Sequence, residues 1–154
     1  MIFEYLATLT EETLLDSRAV VGLGERYFLT SQSVEVPGAV YTGLYLGRKT
    51  NNKFVPGVDL LRLLAAHAAR SIVVDAKAEW LVVCGRDVWG PSIVEHHGTF
   101  QEGDRVLVLT REQEPIGVGR VVSTNFKKKD VAIKMQFDIG DLLRRERKRI
   151  QGRE

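Results

Sequence analysis

Few residues in this sequence have chemical potential, and their spacing excludes most reactions. His96 and His97 are neighbours, so on an extended segment their rings project to opposite faces and do not converge on one ion. Cys84 is the only thiol, and no CxxC or HxxxH spacing occurs. A zinc site therefore lacks its three or four ligands. His67 falls on a helical stretch near Arg70 and reads as a surface or partly packed histidine rather than a general base. Cys84, within residues 81–85 (LVVCG), reads as a buried, inert thiol. Gly117 and Gly119 spell GVG without the helix that a dinucleotide fingerprint needs, and are better read as relief of crowding at a bend. There is no GxSxG, no Walker motif and no paired carboxylate in a credible pocket. These residues point to a non-enzymatic protein without metal or cofactor.

What remains is binding. Lys127, Lys128 and Lys129 crown one loop, and Arg144, Arg145, Arg147, Lys148 and Arg149 crowd the C-terminal segment. If loop and segment share one side, they form a positive surface for phosphates, and arginine adds planar stacking on unpaired bases. Phe126 beside the lysines reads first as a half-buried packing residue and second as a stacking platform. No helix-turn-helix or zinc finger presents an element to a DNA major groove. The expected ligand is RNA, single-stranded or irregular, rather than DNA.

The chain that must position these residues has 154 of them, 44% hydrophobic and 27% charged, the balance of a soluble globular protein. No apolar run approaches the ~18 residues of a bilayer span, so no membrane partner is expected. The acidic start MIFEYLATLT is unlike a signal peptide, which with the single cysteine gives the expectation of a cytoplasmic protein. The net charge of +2 is unevenly spread. Residues 1–70 are neutral and residues 71–114 acidic, while residues 115–154 carry eleven Lys and Arg against five Asp and Glu. A basic last quarter on a near-neutral protein suggests a localised polyanion surface.

Short strands and turns are expected in the first third. Residues 19–22 and 27–29 flank the turn Gly24-Glu25, and residues 43–46 and Phe54-Val55 flank the polar turn 48–53. Asp59 is a cap or a favourable charge at the start of a helix over residues 59–69, which has a wide apolar face. A boundary at Arg70-Ser71 divides an N-terminal domain, residues 1–70, from a second domain, residues 71–154. The absence of a Gly/Pro/Ser linker there predicts two small units packed rigidly together.

After that boundary the pattern predicts a strand over 71–74, Asp75 as a cap, a helix over 76–84 and a stop at Gly85. Residues 105–110 are apolar on both faces, as in a strand covered on both sides. They are followed by strands over 116–122 and 131–137 separated by the polar loop 125–130. The fold class is α+β, a small N-terminal α/β unit on a compact, partly closed β-barrel. Beyond it, Ile139, Leu142, Leu143, Glu146 and Ile150 share one helical arc, with Arg144, Arg147, Lys148 and Gln151 opposite and Arg145 and Arg149 flanking. A docked amphipathic helix with outward cations is the expectation.

Residues 81–88 (LVVCGRDV), 103–109 (GDRVLVL) and 115–122 (PIGVGRVV) resemble a PUA domain, an RNA-binding pseudo-barrel. Combined with residues 47–54 (GRKTNNKF), the helix after Asp59 and residues 138–146 (DIGDLLRRE), the chain resembles one family of large-ribosomal-subunit biogenesis factors. Its name abbreviates "nuclear import protein seven", and the short first 40 residues fit an archaeal-type member. The resemblance implies a non-enzymatic factor in pre-rRNA processing and large-subunit assembly. It implies a PUA domain that binds U-rich or A/U-rich RNA and an N-terminal domain that engages other assembly factors. Arg144, Arg145 and Lys148 match the family's basic RNA-binding positions, and the neutral Gln151 stands where a further lysine is expected. Two alternative readings are a protein-binding scaffold and an RNA-binding accessory subunit of an RNA-modification enzyme.

Overall fold

The computed structural model describes residues 1–30, 38, 43–67, 69–141, 144 and 145. The chain forms α1 (Ile2–Ala7), β1 (Val20–Leu23), β2 (Arg26–Leu29), β3 (Leu44–Thr50), β4 (Lys53–Pro56) and α2 (Val58–Ala66). β1 to β4 make an antiparallel sheet in chain order. The β3–β4 connection is the expected hairpin, its strands extending into the polar stretch on both sides. The strands run through Thr50 and from Lys53, leaving only Asn51-Asn52 at φ 46° and 60°. Two left-handed residues match the twist of a hairpin, and asparagine tolerates them best after glycine.

Helix α1 corrects the expectation that strands and turns alone precede Asp59. Ile2, Tyr5 and Leu6 bury one face at i, i+3, i+4 spacing, but six residues are too few for a helix to hold by propensity. Its stability is tertiary: the Tyr5 ring lies 5.0 Å from that of Phe54. In α2, Gly57 is the N-cap and makes no side-chain cap, so Asp59 acts only as a first-turn charge against the dipole. Leu60, Leu61 and Leu64 are fully buried.

The second sheet comprises β5 (Ser71–Val74), β6 (Val88–Trp89), β7 (Ile93–His97), β8 (Arg105–Leu109), β9 (Pro115–Val121) and β10 (Val131–Asp138). Their spatial order is β6-β10-β9-β8-β5-β7, with β5 parallel to β8 and the other pairs antiparallel. The fold is thus α+β, with the small N-terminal part packed on a curled half-barrel. Helix α3 (Ala76–Val83) is capped by Asp75, whose Oδ1 accepts from the Ala78 N–H at 2.8 Å, and the chain leaves it through Gly85 at φ +84°. Cys84 is exposed, contrary to expectation. The helix buries Ala78 and Val82, one turn apart, and Cys84 falls past that row at the C-cap. Gly119 is required by close approach: a Cβ there would strike the Ile133 side chain on β10.

The two sheets share one apolar core. Leu9, Leu46, Leu60, Leu61 and Leu64 pack with Val73, Leu107, Leu109 and Val118 in one continuous cluster. Val74, Val82, Val106, Val108, Ile116 and Ile133 form a second cluster on the other side of the large sheet. Arg70, at the expected boundary, ties the halves together. Its N–H donates to the Leu9 carbonyl and its carbonyl accepts from Leu107 N–H, both at 2.8 Å. Its guanidinium reaches the carbonyls of Thr8 and Thr99 and the Glu11 carboxylate.

Candidate nucleic-acid interface

The lysine loop is held by backbone bonds at the start of β10. Gly90 N–H donates to the Asp130 carbonyl at 3.0 Å, and Val131 pairs with Trp89. Lys127, Lys128 and Lys129 are all exposed. Lys128 Nζ lies 3.5 Å from Asp130 Oδ2, while Lys127 and Lys129 meet no carboxylate among the described residues. Phe126 is half-buried against the second core. Its ring lies 5.9 Å from that of His96 and 6.1 Å from that of Phe100, an aromatic trio beside the cations. His97 turns the other way and meets Glu95 at 3.1 Å, and no group of three or more metal-ligating side chains gathers among the described residues.

The C-terminal cations behave differently. Gly140, Asp141, Arg144 and Arg145 are helical. Ile139, the first member of the expected apolar stripe, packs against both cores. The helical wheel turns Arg144 outward; the structure turns it in. Its Nη2 donates to both oxygens of the buried Asp138, at 2.8 and 2.9 Å, and its Nη1 to the Val83 carbonyl at 2.6 Å. Gly140 makes room for this, since a Cβ there would strike the same carbonyl. The cause is Asp138: a buried carboxylate needs a charged donor, and Arg144 is within reach. Arg145 Nε pairs with Asp141 Oδ2 at 2.7 Å and its side chain stays half exposed. Arg147, Lys148 and Arg149 lie outside the described residues.

Among the described residues, the lysine loop and the start of the helix do not meet. They sit at opposite ends of β10, whose eight residues separate them by roughly 23 Å at ~3.3 Å per residue. Between them lie cations the sequence reading passed over. Arg105, Arg120 and Lys134 are register partners across β8, β9 and β10, and directly paired residues share a sheet face. Each is the only charged residue in a largely apolar run (RVLVL, IGVGRVV, VAIKMQF). That was a signal, but the alignment of the three charges depends on register.

Arg105 is anchored by Gln136 Oε1 at 2.9 Å and Thr8 Oγ1 at 3.2 Å, with its guanidinium 5.1 Å from the centre of the Tyr5 ring. Burial pushes the Tyr5 hydroxyl pKa well above its usual value, and the nearby Arg105 charge opposes that only in part. A cleft of about 830 Å³ opens here, with Tyr5, Lys53, Phe54, Arg105, Arg120 and Arg145 in its wall.

A curled six-stranded sheet with one capped helix and a basic rim is the architecture of a PUA-type pseudo-barrel. The chain matches the family model described as UPF0113 PUA domain over residues 70–147, about half its length, and it belongs to that family. It is similar to a conserved PUA domain protein from Thermoplasma acidophilum, with 20% identity and TM-score 0.55 over 82% of this chain and 79% of that one. A hypothetical protein from Pyrococcus horikoshii matches at 20% identity and TM-score 0.51, over 80% and 77% of the two chains. The chain spans only a quarter, 25%, of a chain in an H/ACA RNP bound to a substrate RNA, matching 49% of itself at 21% identity and TM-score 0.45. No curated protein matches the chain significantly.

Proposed function

We propose that this protein is a non-enzymatic RNA-binding factor that grips U-rich or A/U-rich single-stranded RNA through the basic surface of its PUA domain. Its setting is pre-rRNA processing and large ribosomal subunit assembly in the cytoplasm, with the N-terminal part docking other assembly factors. The observation that carries RNA binding is the exposed Lys127–Lys129 loop, two of whose cations meet no acid among the described residues, set beside the His96, Phe100 and Phe126 rings. Phosphates attract the cations, and unpaired bases reach an aromatic edge. A scaffold role draws support from Trp80, 70% exposed on α3.

Fluorescence anisotropy with a labelled oligo-U, titrated at several salt concentrations, tests the proposal. Log affinity should fall linearly with log salt, and replacing Lys127, Lys128 and Lys129 together by alanine should flatten that slope by about 2, at ~0.7 per single-strand phosphate contact. An unmodified protein that fails to bind the oligomer, or binds without salt dependence, overturns it.

A further inference from the structure

We propose that the cleft between α1, the β3–β4 hairpin and the β8–β10 face seats the RNA sugar–phosphate backbone, with Arg120 and Lys134 as phosphate contacts and Arg105 as their fixed neighbour. The proposal rests on the RNA-binding reading above and adds to it a second site, away from the lysine loop.

Three observations carry it. First, Arg105, Arg120 and Lys134 are register partners on consecutive strands, about 4.8 Å apart per step. Like charges set directly opposite each other destabilise a sheet, so such a row is favourable only with an anion to neutralise it. Second, no carboxylate among the described residues does so. The acids in the cleft wall are Glu4, Asp138 and Asp141. Each already has its own cation: the Met1 amino group at 3.3 Å, Arg144 at 2.8 Å and Arg145 at 2.7 Å. Lys53, Arg105 and Arg120 in the same wall form no ion pair within the described residues. Third, Arg105 is held by Gln136, Thr8 and the Tyr5 ring, so the positive strip is preformed. Arg120 and Lys134 are exposed beside it. At about 830 Å³ the cleft is within the size range of sites for small organic ligands, enough for a nucleotide-sized segment.

A diester backbone, rather than a free phosphate ligand, is the occupant because the row of cations continues past the cleft wall to Lys134. The experiment compares the full chain with the Arg120→Ala/Lys134→Ala double variant, using oligo-U anisotropy across a salt series. Both side chains are exposed, so folding should survive, with circular dichroism as the check. The salt slope should flatten by about 1.4, and affinity at about 0.1 M salt should drop roughly 25-fold, at ~0.7 per contact. Arg120→Lys alone, which keeps both charges, should leave the slope nearly unchanged.

An unchanged slope in the double variant, while the lysine-loop variant still loses affinity, overturns the cleft assignment and leaves RNA binding intact. Failure of the unmodified protein to bind oligo-U overturns both. Uridine monophosphate binding as tightly as the oligomer would make this a small-ligand site. Polyglutamate binding as tightly, with the same loss in the double variant, would make it a protein-docking site. Either result overturns the assignment.

Discussion

Two neighbouring rows of side chains on one face of the large sheet have opposite chemistry. In one, Leu107, Val118 and Phe137 are partners across β8, β9 and β10, and all three belong to the core shared with the N-terminal elements. In the other, two residues along on β8 and β9, the partners are Arg105, Arg120 and Lys134. Both rows cross the same three strands, with a bulge between Met135 and Phe137 separating them on β10, and the difference lies in what covers them. α1, α2 and the small sheet extend over the first row and stop at the second, where Thr8 and Tyr5 touch only Arg105. The N-terminal part therefore does two things at once: it completes a core and leaves a charged margin at the core's edge. A sheet face covered throughout would have no place for three adjacent cations.

The largest expected effect breaks the covered row. Leu107 is fully buried, and Leu107→Ala should cost about 2–5 kcal/mol, the lost transfer energy plus the residual cavity, read as a shift in the urea midpoint. A loss confined to the C-terminal elements, with the N-terminal sheet still cooperative, would show that the two sheets do not share a core. Next comes Arg144. Arg144→Ala leaves Asp138 buried, at 7% exposure, without its charged donor, and frees the Val83 carbonyl. The cost should be about 1–3 kcal/mol, and adding Asp138→Asn should recover part of it. An unshifted midpoint in the single variant would return Arg144 to the set of free surface cations.

That reversal at Arg144 shows where the sequence is legible. The helical wheel places a Cα on a face, but a long guanidinium goes where the nearest buried carboxylate is. Asp138 is buried at the last position of β10, one residue beyond the apolar alternation that ends at Phe137. Local grammar reads well where one residue type suffices: Asp75 as a cap, Gly85 as a stop, β8 buried on both faces. α1 was missed because its apolar spacing fills barely two turns and its stability comes from Phe54 and Arg105, 49 and 100 positions from Tyr5. The lysine loop and the basic helix were both visible as composition. The separation of the loop from Arg144 and Arg145 by the length of β10 was not, because only the β6–β10 pairing at one end and the Arg144–Val83 contact at the other fix it.

The smallest effect sharpens the comparison most, because its sign is unusual. Arg120 is exposed and sits between two cations in register, with no described carboxylate to pair with. Most surface substitutions leave stability within about 0.5 kcal/mol, but here a like-charge repulsion is removed. Arg120→Gln should therefore stabilise the RNA-free protein by about 0.2–1 kcal/mol at low salt. The gain should shrink as ionic strength rises and the Debye length falls from ~30 Å at 0.01 M to ~8 Å at 0.15 M. Thermal melts of the two proteins across that salt range measure it. The same substitution should weaken oligo-U binding, so one side chain would lower stability alone and raise affinity with ligand, the signature of a site kept charged for its partner. A variant that is destabilised at every salt concentration would instead mean that Arg120 has an acid partner, and the two rows would then differ in cover but not in purpose.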